Sequence, residues 1–294
     1  MKNTADVRKD NISNILNILC DNLDHTVLSV SNKTGLSVAT CNTLLKMLVD
    51  TNRVIGTKRQ INGVGRSSIV YHINPFYCSY INIQYFQGAK LLKFIISYLY
   101  GTKIKEYTIE IDSFDNDIII NEIKKISSEY ENVKLVQLSL PLYLWDKQND
   151  IKDRIIKETN INTYVGNKYE FISKGIDGEG LITLVDLKTI NPIVINIKNN
   201  DLLAGRMLQN INYELLFGNI KEVSNLAKCI AINILYTFPD NVLIVGDISI
   251  DKLLIEMKPY TESPIPNFKI IEEINSYCEI GMEIKSKEIL NEMI

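Results

Sequence analysis

The chain has 294 residues, 46% of them hydrophobic and 23% charged, with a formal net charge of −3. That is enough for two or three compact units, each with a real core. No apolar run reaches spanning length, since Leu91 to Tyr100 is too short. The opening Met-Lys-Asn-Thr-Ala-Asp-Val-Arg leads into polar residues rather than a signal sequence. The expectation is a cytoplasmic protein with no membrane partner.

The first informative stretch runs from residue 10 to 75. Ile12, Ile15, Leu16 and Leu19 recur at helical spacing and predict an amphipathic first helix. Thr26 is placed to cap a short second helix whose Val30 turns inward, and Gly35 supplies the left-handed residue that ends it. Ser37 then caps a third helix with Leu44, Leu45 and Leu48 on its inner face. Val38, Ala39, Thr40, Asn42, Thr43 and Lys46 remain on or near the outer face, where a recognition helix meets base edges and phosphates.

Arg53 to Ile61 and Ser68 to Ile73 alternate like paired strands around a glycine-containing tip, Asn62-Gly-Val-Gly65-Arg66. This is the pattern of a winged helix-turn-helix. Arg66 at the wing tip would reach a minor groove or a phosphate, with Gly65 allowing the turn, and Lys58 and Arg59 would extend the basic surface. Double-stranded DNA is the partner this pattern implies.

Charge is distributed accordingly. Residues 1–75 carry nine Lys/Arg against five Asp/Glu, and the remainder 23 against 30. An acidic total does not oppose DNA binding, because phosphate contacts come from one face and the field that matters is local. The competing reading is a winged helix used for protein contact or structure alone. His25 and His72 are read as a loop and a strand residue. The five cysteines, at 20, 41, 78, 229 and 278, are dispersed and lack metal-site spacing, so buried reduced thiols are expected and no structural zinc.

After Asn74-Pro75 an α/β pattern begins. Tyr80–Phe86, Lys90–Leu99 and Lys103–Ile111 read as three consecutive strands. A helix near Ile118–Tyr130, a buried strand Val133–Leu140, a helix over Ile151–Thr159 and a short strand Asn162–Val165 follow. Three antiparallel strands and then alternating helices and strands is the order of an actin-like, ribonuclease-H-like lobe. The second half repeats it: a strand pair at Gly180–Asp186 and Pro192–Ile197, a mixed segment Asp201–Phe217, a helix Glu222–Tyr236, and a buried parallel strand ending at Gly246. The fold class expected is therefore α/β, an N-terminal winged helix-turn-helix followed by a two-lobed actin-like ATPase-type domain. The divisions are residues 1–75, 76–166 and 167–294, with a C-terminal helix returning to the first lobe.

Asp10 to Leu19, the Thr26 to Thr40 segment, the Gly65-Arg66 wing and Asn233 to Gly246 together resemble the ROK family, which joins sugar-responsive repressors to sugar kinases. The resemblance implies a repressor of carbohydrate-related genes, acting as a homodimer or homotetramer and answering to a sugar or sugar phosphate. It also identifies departures. Where family kinases hold phosphate with an aspartate and glycines, this chain has Asn82-Ile-Gln84-Tyr85-Phe86. Lys168 follows Asn167 where the base aspartate belongs, and a lysine cannot take a sugar hydroxyl proton unless its pKa falls by several units. Asp186 to Pro192 replaces the second phosphate loop without a glycine. Asn212 and Glu214 fall near the family's Glu-x-Gly-His, but no histidine and no cysteine-rich zinc motif accompany them.

The expectation is a regulator with no kinase activity, no catalytic or metal residues and no cofactor. Asn167, Lys168, Asn212 and Glu214 are the candidates for an effector cleft, with Lys168 suited to an anionic ligand; the plainer reading makes Lys168 a solvated residue at a strand end. A hexose kinase using ATP and a scaffold that contacts only protein are the alternatives.

Overall fold

The computed structural model describes residues 4–19, 23–59, 68–86, 88–99, 101–189, 193–203, 216, 218–261 and 266–293. The N-terminal part consists of α1 (Thr4–Leu19), β1 (His25–Thr26), α2 (Val27–Thr34), α3 (Val38–Asp50), β2 (Val54–Arg59) and β3 (Ser68–Ile73). Local chemistry sets its boundaries. The Thr26 hydroxyl accepts from the Ser29 amide at 3.1 Å to start α2. Gly35, at φ 72°, ends the helix and donates to Ser31 O at 2.9 Å, a backbone state that costs glycine nothing. Three strands close the unit in the order β1-β3-β2. The wing tip, with Gly65 and Arg66, lies outside the described residues.

Then come β4 (Ser79–Phe86), β5 (Leu91–Tyr98), β6 (Lys103–Glu110), α4 (Asn116–Glu129), β7 (Val133–Leu140), a 3-10 turn at Leu142–Lys147, α5 (Gln148–Thr159) and β8 (Asn162–Asn167). The remainder is α6 (Lys168–Gly175), β9 (Leu181–Asp186), β10 (Ile193–Lys198), β11 (Asp201–Leu203), α7 (Val223–Thr237), β12 (Asn241–Val245), α8 (Ile250–Met257), β13 (Asn267–Ile271) and α9 (Ile274–Met293).

These form two five-stranded sheets of identical plan, β6-β5-β4-β7-β8 and β11-β10-β9-β12-β13. In each, the first three strands pair antiparallel and the last two add in parallel. The central strand β4 is buried along most of its length, whereas edge strand β6 is largely exposed. Two covered faces explain the near-continuous apolar run of the first, and one solvated face the alternation of the second.

Each face of the second large sheet has its own helix layer. Val185, Val194, Val242 and Ile244 pack under α7 and α8, while Ile182, Leu184, Ile195 and Val245 face α6 and α9. α9 connects the parts of the molecule. Ile274, Cys278 and Met282 belong to the core of the second large sheet, whereas Leu290 sits in the winged-helix core beside Ile15, Leu16 and Tyr71. A 20-residue helix spans about 30 Å at 1.5 Å per residue. That is the width of a small domain.

The structure differs from the sequence reading in detail. α5 begins at Gln148 rather than Ile151, and β8 extends to Asn167. α6, α8 and β13 are additional elements. Of the mixed segment, β11 is described and residues 204–215 and 217 lie outside the described residues.

Candidate nucleic-acid interface and inter-lobe cleft

α3 separates its residues cleanly. Cys41, Leu44, Leu45 and Leu48 are buried, while Ser37, Val38, Ala39, Thr43 and Lys46 are exposed and Thr40 and Asn42 half-buried. The Ser37 hydroxyl accepts from the Thr40 amide at 3.1 Å and lies 2.8 Å from Thr40 Oγ1. Thr43 donates to Ala39 O at 3.0 Å, which occupies its hydroxyl within the helix. The outer face is therefore small, uncharged in its first two turns and cationic at Lys46. Its first acidic residue is Asp50, at the far end. Such a face has the size and charge to fit a major groove.

Lys58 and Arg59 stand exposed on β2. Arg59 is held against Asp24, whose other oxygen lies 3.5 Å from His72 Nδ1. Asp24 thus neutralises part of the charge that the sequence assigns to this edge. His25 is buried in β1, with Nδ1 3.1 Å from Ser29 Oγ.

The second candidate site is a cavity of about 400 Å3 between the two large sheets. The end of β4 contributes Gln84, Tyr85 and Phe86; Ser139 and Pro141 come from the end of β7, and Lys168 from the start of α6. Asp186 ends β9 and Lys188 and Thr189 follow it, while Glu272 and Glu273 before α9 and Ile274, Asn275 and Cys278 at its start close the cavity. Ligand clefts in such folds lie at the carboxyl ends of parallel strands, and this one does.

Asp186 organises the floor. It is buried, and Oδ2 accepts from Tyr169 OH at 3.0 Å and lies 3.8 Å from Lys168 Nζ, while Oδ1 accepts from the Lys188 amide at 3.1 Å. Burial, and then the Asp186 charge, push the Tyr169 phenol well above its ordinary value, so it keeps the proton it donates to Asp186. Lys168 is thus engaged with a buried carboxylate rather than solvated at a strand end.

On the opposite wall, Gln84 Nε2 points to Met282 Sδ at 3.6 Å, and Gln84 Oε1 is buried with no hydrogen-bond partner among the described residues. Gln137 donates to Met282 O at 3.0 Å and to Ser286, whose hydroxyl donates to Asn82 Oδ1 at 3.2 Å. Burial drives the Cys278 thiol up to about 11.

Asn167 caps α6, its Oδ1 accepting from the Glu170 amide at 2.9 Å. It does not line the cavity, whereas its neighbour Lys168 does. Asn212 and Glu214 lie outside the described residues. Sequence reasoning missed Gln84, Asp186 and Lys188 as cavity residues, although all three stand in segments where the phosphate loops were expected. Among the described residues, no group of three or more His, Cys, Asp or Glu side chains could hold a metal ion, and no helix is long and apolar enough to cross a membrane.

Residues 8–55 match a family of winged helix-turn-helix DNA-binding domains. The chain therefore carries a DNA-binding module of that class at its N-terminal end. Its whole fold is shared with a ROK family transcriptional regulator that is a homologue of the E. coli MLC protein. That likeness has a TM-score of 0.61 at 13% identity, over 97% of this chain and 98% of the other. The Lmo2764 protein from Listeria monocytogenes matches at TM-score 0.53 and 15% identity, over 72% of this chain and 99% of its own. The inorganic polyphosphate/ATP-glucomannokinase from Arthrobacter sp. strain KM matches at TM-score 0.50 and 12% identity, over 72% and 99%. No curated protein matches the sequence. The first of these likenesses covers nearly all of this chain and the other two 72% of it.

Proposed function

We propose that this protein is a DNA-binding transcriptional regulator of the ROK type, a repressor of carbohydrate-related genes that works inside the cell without kinase activity. The observation that carries this reading is the N-capped α3, whose exposed face is free of acid as far as Asp50 and ends in Lys46. Its parts would be a DNA-binding unit over 1–75 and two lobes over 76–166 and 167–294. Ser37 to Thr40, Asn42 and Thr43 would face bases, while Lys46, Lys58 and the wing residues Gly65 and Arg66 would meet phosphate or minor groove. A homodimer would place two such helices in successive major grooves, about 34–36 Å apart.

Loss of catalysis is inferred from the cleft. In the ROK resemblance Tyr85 and Phe86 would fall at the phosphate-holding hairpin and Lys168 at the base; here Tyr85, Phe86 and Lys168 line the cavity and Lys168 pairs with Asp186. The cavity is nevertheless lined by Gln84, whose amide can pair with hydroxyl groups, together with the lysines 168 and 188. A polyhydroxyl ligand carrying an anionic group, a sugar phosphate, satisfies both features.

The test is binding of the purified chain to its own upstream DNA against a scrambled duplex at moderate salt, repeated with a panel of sugars and sugar phosphates. Selective binding relieved by one compound is the expected result. Equal affinity for both duplexes would refute the regulator reading and favour a protein-contact scaffold. Turnover of ATP with a hexose would refute the loss of catalysis.

A further inference from the structure

The end of α7 departs from the pattern the rest of the chain follows. Its C-terminal residue is capped by Phe238 at φ 51° and ψ 58°, with the Phe238 amide donating to Ile234 O at 2.9 Å. Left-handed backbone crowds the β-carbon of any L residue, so glycine or asparagine normally fills it. Apart from Lys90, the described residues otherwise respect that rule. Among the described residues, the other non-glycine positions of positive φ are Asn52, Asn132, Asn160, Asn199, Asn200 and Lys90.

Phe238 gains nothing from the protein's own core in return, because it is 68% exposed. Tyr236 beside it is 83% exposed, and Ile232 and Leu235 are each 42% exposed. The spacing puts Ile232, Leu235 and Tyr236 on one helix face. Leu226, Ile230 and Ile234 on the opposite face pack against the sheet. Only Lys228 is charged in the 15 residues of α7. A helix with one face on a sheet and one in water normally carries charge outside; one that is apolar all round is covered on both sides.

We propose that the α7 end, Ile232 to Phe238, is the contact through which a second copy of this chain binds, in a two-fold arrangement that sets one α7 against the other. This deepens the dimer of the regulator reading and rests on it for its purpose. The four side chains present roughly 400–500 Å2 of apolar surface, beyond what a monomer leaves open by chance. That is about the apolar centre of an interface burying ~800 Å2 per partner. The patch carries no charge, so it faces itself without like-charge repulsion, as an isologous contact requires. A charged partner would find no counter-charge on it.

The experiment is sedimentation of the full chain over a range of micromolar concentrations, with Phe238→Asn and Tyr236→Glu. Asparagine keeps the left-handed cap and removes the ring. The expected result is a dimer for the unaltered chain and at least a tenfold weaker dimer for each variant, with Phe238→Asn melting no lower than the parent at concentrations where both are monomeric. A monomeric parent at every concentration would overturn the proposal. So would variants that dimerise like the parent, or a Phe238→Asn monomer of lowered melting temperature, which would give the ring to the fold. DNA is measured apart. A dimeric parent weakened by these variants that shows no sequence preference sustains the contact and sinks the regulator reading, whereas variants that keep half-site binding sustain both.

Discussion

Replacing Gly281 by alanine tests how closely α6 and α9 cross. A β-carbon at Gly281 would lie 2.6 Å from the Phe171 carbonyl carbon and 3.1 Å from the Gly175 amide nitrogen, and would overlap the Phe171 carbonyl oxygen. One at Gly175 would lie 2.9 Å from the Gly281 nitrogen. The obstructing atoms are backbone, so no side chain can swing aside, and the helices would have to separate by roughly 1 Å or more to restore contact distances. Phe171 and Met282, both fully buried, would lose packing, and the Gln137 bond to Met282 O at 3.0 Å would stretch. Overpacking of this kind costs ~1–3 kcal/mol, and the rigid surroundings favour the upper end. At ~3 kcal/mol the melting temperature falls by roughly 6 °C or more. Intrinsic helix propensity predicts the opposite sign, since alanine is favoured over glycine by about 1 kcal/mol. Thermal and urea unfolding followed by circular dichroism decide between them, with Gly88→Ala, where nothing lies within 4 Å, as the neutral control. An unchanged or raised midpoint for Gly281→Ala would refute the close crossing.

Other outcomes follow from single contacts. Ser37→Ala removes the acceptor of the Thr40 amide, and should cost ~1 kcal/mol of stability along with DNA affinity; urea midpoints unchanged from the parent would argue against the cap. Lys46→Ala should leave the fold intact and lower the slope of log affinity against log salt by about one, which a salt titration of duplex binding reads directly. Burial pushes the thiols of Cys78, Cys229 and Cys278 up to about 11, 12 and 11. At pH 8 these groups stay protonated, so iodoacetamide should label them only after unfolding; rapid labelling of any of them in the native protein would contradict the packing.

The winged helix was legible because its signals are local. Thr26, Gly35 and Ser37 each act within four residues, and all three hold the positions their chemistry suggests. The strand order of the lobes could be read for a similar reason, because runs such as Val133–Leu140 are apolar on both faces and end at turn residues. α6 escaped notice because Tyr169, Phe171, Ile172 and Ser173 are all buried between a sheet and α9, which leaves no amphipathic contrast in eight residues. α9 hides its pattern differently. Its inward residues are Ile274, Cys278, Met282, Ser286 and Leu290, a ladder with a step of four, but serine and cysteine interrupt it while Ile280 and Ile284 face outward. Asn167 was expected to line an effector cleft beside Lys168, yet the helix start consumed its side chain as a cap. Lining of a cleft depends on which side chains the local backbone leaves unspent.

That same ladder bears on how the cleft would matter if, as proposed, it does not catalyse. Ile274 and Cys278 line the cavity, Met282 and Ser286 bond to Gln84 and Gln137 of the first large sheet, and Leu290 is buried among α1 residues Ile15 and Leu16. Lys174 on α6 pairs with Glu288 at 3.1 Å, so the two helices are joined by charge as well as by their glycines. A helix is stiff along its axis, and the tight crossing with α6 leaves it little freedom to slide alone. In the regulator reading, a ligand that draws the two sheets together therefore moves α6 and α9 as one body, and the displaced end is the one buried under the winged helix. None of these contacts involves a phosphate loop, a base or a metal. In that reading, coupling would rest on residues distinct from those to which the ROK resemblance assigns catalysis, and substitution of the second set would leave the first in place.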